Sequence, residues 1–247
     1  MIPFLRCASI LLVLSSILPA QAERPFKTDD PWQERLYGWE VQGGIAAGSG
    51  EWEKIESRNQ FDVLAGFDYG LTERSEVGLL WNIFRMQDPG PDGFTDAAVH
   101  YKHRIAEASA SWPDISLDLK LKLPLGDRDR ALGSGKVDLG LASLFGWKSE
   151  RWTTSFRLGY LTTGSSAESD RLELGLATRY RASEFVSFLG EIYNDSNEKP
   201  GHSSRLEVSA GMSFIVGPAT WFDLMVTAGI SESVPDAGMQ VGMTSRL

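Results

Sequence analysis

Cysteine is almost absent from this chain of 247 residues, and the single one, Cys7, lies in an apolar N-terminal stretch. A protein without disulfides must be stabilised by packing or by a closed hydrogen-bond network. Positive charge is also scarce, since 24 lysines and arginines stand against 33 aspartates and glutamates. This balance argues against a nucleic-acid partner, because little cationic surface is available to neutralise phosphates.

Long apolar runs are missing after the N-terminus, so we expect no membrane-spanning helix, which needs about 20 apolar residues. Residues 1–22 combine a basic residue at Arg6, a short apolar core over 8–18 and an A-x-A ending at Ala22. This order is typical of a secretory signal peptide, and it predicts export with cleavage after Ala22. A transmembrane or buried helix is the weaker alternative, because the apolar core is short and Pro19 interrupts it.

Strict alternation of apolar and polar side chains follows over residues 114–125. The apolar positions share one parity and are Ile115, Leu117, Leu119, Leu121, Leu123 and Leu125. The positions between them are Ser116, Asp118, Lys120, Lys122 and Pro124. A helix would distribute these leucines around its whole surface, so the period of two predicts a β-strand with one aliphatic and one charged face.

The same alternation recurs along the chain and predicts about twelve strands of roughly ten residues, the length that crosses a bilayer at a tilt. The links alternate as well. Long polar links are predicted at 48–58, 86–93, 126–136, 162–169, 194–203 and 232–237. Tight turns are predicted at 70–74, 148–151, 182–184 and 217–220, with an intermediate link at 106–113.

These patterns predict an all-β fold, a transmembrane antiparallel up-and-down β-barrel with both termini in the periplasm. We divide the chain into a signal peptide (1–22), a periplasmic N-terminal segment (23–35) and the barrel (36–247). A sheet in lipid must close, because unpaired backbone edges cannot be hydrated there, so an even strand number is expected.

A soluble β-sandwich or lipocalin-like barrel is the competing interpretation, since it also shows alternation and short strands. Aromatic residues beside the tight turns favour the membrane barrel, because amphipathic rings prefer the headgroup level. They are Tyr69, Trp147, Trp152, Tyr180, Trp221 and Phe222. One feature departs from the usual pattern, since the chain ends on Leu247 where such barrels commonly carry an aromatic residue.

Two segments resemble a known family. Residues 70–79 read GLTERSEVGL, and residues 132–141 read LGSGKVDLGL after a KLPLGD loop. Their order and spacing resemble those of the outer-membrane proteins of the MetA pathway of phenol degradation. The resemblance implies a channel-like barrel in the outer membrane of a Gram-negative bacterium, for uptake of small, often aromatic or hydrophobic compounds. For such a barrel we expect outer-membrane lipid, the barrel-insertion machinery during biogenesis and a small-molecule solute as partners.

An outward aliphatic face forces the charged face into the lumen. The candidate lumen or solute-contact residues are Lys120, Lys122, Asp138, Arg157, Glu173, Arg179, Glu191, Arg205 and Glu207. We expect both lysines to lie beside Asp138, Arg157 near Glu173, and Glu191 near Arg205 and Glu207. Two interpretations stay open. These charges either pair and brace a sealed structural or receptor barrel, or form a polar constriction that selects solutes.

Catalytic and metal-binding patterns are sparse. His100 and His103 lie three apart on a strand and point to opposite faces, so no metal site, no cofactor and no enzymatic activity are expected. A weak alternative is lipid hydrolysis by His202 and Ser204, which share the parity of lipid-facing Leu206 at the loop end of a strand. No acid or amide that would orient the imidazole is identifiable there. The leading hypothesis is therefore a passive outer-membrane channel.

Overall fold

The computed structural model describes residues 25–52, 55–109, 112–130, 132–164, 169–196 and 203–247. Thirteen strands occur within these residues. They are β1 (Trp39–Trp52), β2 (Ile55–Thr72), β3 (Ser75–Asp88), β4 (Gly93–Phe94), β5 (Ala97–Ala106), β6 (Asp114–Leu123), β7 (Asp138–Lys148), β8 (Trp152–Thr162), β9 (Arg171–Arg181), β10 (Val186–Asp195), β11 (Arg205–Gly217), β12 (Thr220–Gly229) and β13 (Ala237–Arg246). None of the described residues belongs to a helix long and apolar enough to cross a membrane.

The sheet closes on itself through its first and last strands. β1 pairs with β13 from Glu40 opposite Arg246 to Ser49 opposite Ala237. All other neighbours in the wall are also antiparallel, and the two-residue β4 lies in the connection from β3 to β5. Within the described residues the wall therefore has twelve strands, and the predicted closed antiparallel barrel is confirmed. Closure leaves no strand edge to be hydrated in lipid.

The two faces of β6 show how the alternating sequence is oriented. Leu119 is 53% exposed and Leu121 is 37% exposed on the outer surface, whereas Ser116 and Asp118 are buried inside the barrel. The prediction of an outward aliphatic face and an inward charged face is confirmed on this strand. A lipid environment explains this arrangement, because apolar side chains then lose contact with water.

The tight turns lie at one end of the barrel, together with the start of the first strand, β1, and the end of the last strand, β13. We call this the turn end. There the amide of Leu247 donates to the carbonyl of Trp39 at 2.8 Å, and the amide of Trp39 donates back at 3.3 Å. Aromatic pairs lie on the outer surface at this end, and in one of them the ring centroids of the exposed Trp152 and the half-buried Tyr180 lie 4.7 Å apart. That the turn end faces the periplasm stays a prediction.

Two details differ from the sequence expectations. The link predicted at 48–58 is mostly strand, since β1 continues to Trp52 and Gly50 pairs with Arg58 on β2. Trp221, predicted to lie in the aromatic girdle, faces the interior and is only 6% exposed, with the guanidinium of Arg246 over its ring. Adjacent residues on a strand point to opposite faces, so Trp221 and Phe222 cannot both face lipid.

Candidate functional site in the barrel lumen

Residues 25–36, which we call the plug segment, lie inside the barrel. The segment enters at the turn end, where Leu36 bridges to Gly70, and reaches the carbonyl of Pro25, which accepts a hydrogen bond from Gln240 on β13. Thr28 is 1% exposed. Residues 23–35 are predicted to form a periplasmic segment, and in the structure the described part of them lies in the lumen. The division of the chain at residues 22 and 35 stays a prediction.

Inward-facing glycines make room for the plug segment. A Cβ atom at Gly146 would lie 2.5 Å from Pro31 Cγ and 2.7 Å from the ring of Trp32. At Gly175 a Cβ atom would lie 3.0 Å from the Cβ of Thr28 and closer still to its hydroxyl. Heavy atoms cannot approach so closely, so a larger residue at either position would displace the segment.

Charged and polar groups hold the inner half of the plug segment. The amide of Thr28 donates to Glu191 on β10 at 2.6 Å, and the preceding Lys27 forms an ion pair with Glu207 on β11. On the opposite wall, the ammonium of Lys102 on β5 lies 3.1 Å from Asp29. These contacts cross the lumen, so the segment connects β5 with β10 and β11.

The outer half of the segment is held near the turn end. Trp32 donates its indole N–H to Asp114 on β6 at 2.8 Å, and Lys148 lies 3.5 Å above the centroid of its ring. Ser116 donates its hydroxyl to the carbonyl of Pro31 at 2.6 Å. Glu34 fixes the end of the segment to the wall. Its carboxylate lies 2.6 Å from the guanidinium of Arg246, and its amide donates to Glu76 at 2.6 Å.

Several predicted lumen charges pair across neighbouring strands. Lys122 forms an ion pair with Asp138, as expected, and lies 3.4 Å from Asp96. Arg157 lies 3.0 Å from Glu173 and 3.2 Å from Asp118. Buried charges are costly unless they are paired, and these pairs satisfy that requirement.

The remaining predicted lumen residues are placed as follows. Lys120 and Arg179 lie on the inward parity of β6 and β9. Glu191 lies opposite Ser209, and Arg205 pairs with Asp195 at 2.9 Å, so the expected group of Glu191, Arg205 and Glu207 is not formed. Glu191 and Glu207 instead bind the plug segment.

Two links between strands cover the other end of the lumen, which we call the loop end. Asp96 accepts hydrogen bonds from the amides of Gly126 at 2.8 Å and Ser134 at 3.1 Å, which ties the link from β6 to β7 to the wall. In the link from β12 to β13, Val234 is 5% exposed and Pro235 packs against the inward-facing Gly48. The lumen is therefore narrowed at both ends.

The described residues provide no further support for lipid hydrolysis by His202 and Ser204. His202 lies outside the described residues, and Ser204 is an exposed residue directly before β11. An open cleft of about 640 Å³ lies elsewhere, near the loop end of β1, β2, β3 and β13, and none of the predicted lumen residues lines it.

Sequence reasoning did not identify the plug residues, among them Lys27, Thr28 and Asp29. The segment has no periodicity that would assign it to a strand, and the partners of these three residues are 73 to 180 positions away. One signal was present in the sequence. The inward parity changes from charged to small or apolar at Ala142, Leu144 and Gly146, which is unusual for a water-filled lumen.

The comparisons with known proteins support the fold. No family model and no curated protein matches the chain. Among solved structures, an outer membrane channel from Pseudomonas putida F1 has a TM-score of 0.67 at 11% identity, covering 88% of this chain and 98% of that chain. The NanC porin has a TM-score of 0.58 at 9% identity, covering 85% and 100% of the two chains. The KdgM porin has a TM-score of 0.55 at 7% identity, covering 83% and 98%.

At these identities the likeness shows the fold alone. The shared fold is a closed antiparallel β-barrel, which the three outer-membrane proteins also have. It agrees with the closed wall of twelve strands and with the apolar outer face. The resemblance of residues 70–79 and 132–141 to the MetA-pathway proteins stays a prediction.

Proposed function

We propose that this protein is a passive channel of the Gram-negative outer membrane for small solutes, and that the plug segment closes it in the present conformation. The observation that carries the proposal is the route of residues 25–36 through the lumen. If the signal peptide is cleaved after Ala22, the segment is tied to the barrel at one end only. It can then leave the lumen without breaking a strand or a covalent bond.

The contacts of the segment are of a kind that can exchange with water. Beside the packing of Pro31 and Trp32, they include hydrogen bonds and ion pairs, such as those of Thr28 with Glu191 and of Glu34 with Arg246. Each such contact contributes only about 0.5–3 kcal/mol net, because water replaces it when the segment leaves. The plugged state is therefore stable yet reversible, as a gated channel requires.

The charges on the inner wall indicate which solutes the open channel would favour. Charges of both signs line it, including Lys120, Arg157, Glu173 and Asp138, so the described wall residues do not form a ring of a single sign. Such a wall favours small solutes with weak charge selectivity. Small aromatic compounds are the first class to test, because the resemblance of residues 70–79 and 132–141 implies them.

Planar-bilayer recordings test the proposal with two proteins, the native barrel and a variant lacking residues 25–33. We expect small or brief conductance from the native protein and a several-fold larger, weakly ion-selective conductance from the variant. Glu107→Gln, which alters an exposed pair with Arg74, serves as the control and should match the native protein. Liposome swelling with aromatic acids and sugars then identifies the permeating class.

The alternative is a sealed structural barrel, which the plug and the buried pair of Arg157 with Asp118 favour. Absence of conductance and solute flux from both proteins would support that alternative and overturn the channel. Both proteins must first migrate anomalously on an unboiled gel, as folded outer-membrane barrels do, so that misfolding does not mimic a sealed lumen.

A further inference from the structure

Three side chains with metal-ligating atoms meet where the plug segment touches the wall. They are Asp29 of the plug segment, His100 of β5 and Asp118 of β6, and one ligand atom from each lies within 4.8 Å of the others. His100 is 2% exposed and Asp118 is 1% exposed, so water has little access to the cluster. The three residues come together only because the plug segment lies in the lumen.

The imidazole of His100 is oriented by a second carboxylate. Its Nε2 lies 2.6 Å from Asp68 Oδ1, a short distance that fits donation of an N–H to the carboxylate. A proton on Nε2 leaves Nδ1 with a lone pair in the neutral ring. A carboxylate behind a histidine is the usual outer partner of a metal-bound imidazole, because it fixes the ring and raises its basicity.

The lone pair of Nδ1 points toward another acceptor. Nδ1 lies 3.4 Å from Asp118 Oδ1, and neither atom has a hydrogen-bond partner among the described residues. Two buried acceptors that face each other need a positive charge between them, either a second proton on the imidazole or a metal ion. The separation is longer than a normal N–H···O hydrogen bond of about 2.7–3.2 Å. It matches the distance of about 3.4 Å between two ligands of a tetrahedral ion with bonds near 2.1 Å.

The surrounding charges favour a divalent ion. Arg157 contacts the other oxygen of Asp118 at 3.2 Å, and Lys102 contacts Asp29 at 3.1 Å, so these cations hold the carboxylates in place. Negative charge is still in excess at the cluster. The contacting groups are the carboxylates of Asp29, Asp68, Glu76 and Asp118 and the cations of Lys102 and Arg157.

We propose that His100, Asp118 and Asp29 bind a divalent transition-metal ion of the zinc type, and that this ion fastens the plug segment to the barrel wall. One imidazole and two carboxylates form a ligand set that suits such an ion. Because Asp29 belongs to the plug segment and the other two ligands belong to the wall, a bound ion stabilises the closed lumen. The site does not depend on the barrel being a channel.

Calorimetric titration of Zn²⁺ into tag-free, EDTA-washed barrel in detergent tests the site. We expect one ion per barrel. His100→Gln and Asp29→Asn should each weaken binding at least tenfold, and Asp68→Asn should weaken it by about 10–100-fold through loss of the orienting carboxylate. His103→Gln is the matched control, because His103 lies on the same strand with the opposite parity and should bind like the native protein.

Folding is checked for every variant by its unboiled mobility on a gel. Asp29→Asn keeps the test decisive if His100→Gln does not fold, because Asp29 lies outside the barrel strands. X-ray absorption spectra at the zinc edge of the native complex should show one imidazole together with oxygen ligands. The proposal is overturned if the folded native barrel binds no Zn²⁺, or if Asp29→Asn and His100→Gln bind it as tightly as His103→Gln.

Discussion

At the scale of single residues, glycines on the inward parity determine where the plug segment can lie. Gly146 leaves space for Pro31 and Trp32, and Gly175 leaves space for Thr28. A glycine inside a strand costs roughly 0.5–1 kcal/mol relative to alanine. The close approach of a second backbone segment explains why glycine occupies both positions.

Replacement of Gly146 by valine should therefore expel the plug segment while the wall stays intact. Thr28→Cys reports the position of the segment, because the mature chain is expected to contain no other cysteine and Thr28 is buried. We expect a membrane-impermeant maleimide to label this thiol at least tenfold faster when Gly146→Val is also present. Gly190→Val is the control, since a Cβ at Gly190 meets its nearest neighbour only at 3.6 Å. Equal labelling rates in the two backgrounds would contradict the assignment.

At the scale of elements, the alternating strand β6 explains how the barrel is held in lipid. Leu119 faces outward between the inward-facing Asp118 and Lys120. The charged residues are stabilised by partners inside the barrel, and the leucines by the hydrocarbon outside. The two faces of one strand thus meet two different solvents, and a one-residue change of register would exchange them.

Leu119→Arg should destabilise the barrel by about 2–4 kcal/mol, because it places a charge on the lipid face near the membrane centre. Leu125→Arg, beyond the end of β6, should cost about 0–1 kcal/mol, because a charge near the interface can reach water. Urea-induced unfolding of the two variants in phospholipid vesicles measures the difference. Equal destabilisation would show that β6 does not cross the membrane as described.

The elements also show what the sequence can and cannot predict. The alternation of residues 114–125 is a local signal, and it identified both the strand and its outward face. The extension of β1 over residues 48–52 and of β2 over residues 55–58 was not predicted, because glycine, serine and charged residues indicate a loop. In the structure these residues continue the hairpin, where cross-strand pairing outweighs their low strand propensity.

At the scale of the whole molecule, the wall of the barrel was more predictable from the sequence than the plug segment in its lumen. Strand number, closure and the charged lumen followed from periodicity and from the requirement that a sheet in lipid has no edge. The position of the plug segment could not be predicted in this way. Its contacts depend on the stagger of neighbouring strands along the barrel axis, which the periodicity does not show. Arg157 and Glu173 were expected to pair, since they lie on adjacent strands, whereas Asp29 meets His100 and Asp118 only in three dimensions.

A disulfide between the plug segment and the wall tests whether residues 25–36 open and close a channel. Thr28→Cys with Gly175→Cys joins the plug segment to β9, since a Cβ at Gly175 would lie 3.0 Å from that of Thr28 and a disulfide needs about 3.8 Å. A shift of less than about 1 Å by the segment accommodates the bond. The single variant Thr28→Cys serves as the control.

Planar-bilayer conductance of the double variant is recorded under oxidising conditions and again after reductant is added. We expect conductance close to baseline while the disulfide holds the plug segment in the lumen, because the lumen then stays closed. On reduction we expect conductance to rise at least to the level of the native protein, while the control does not change. The same conductance before and after reduction, with the disulfide shown to form and to break, would contradict the account.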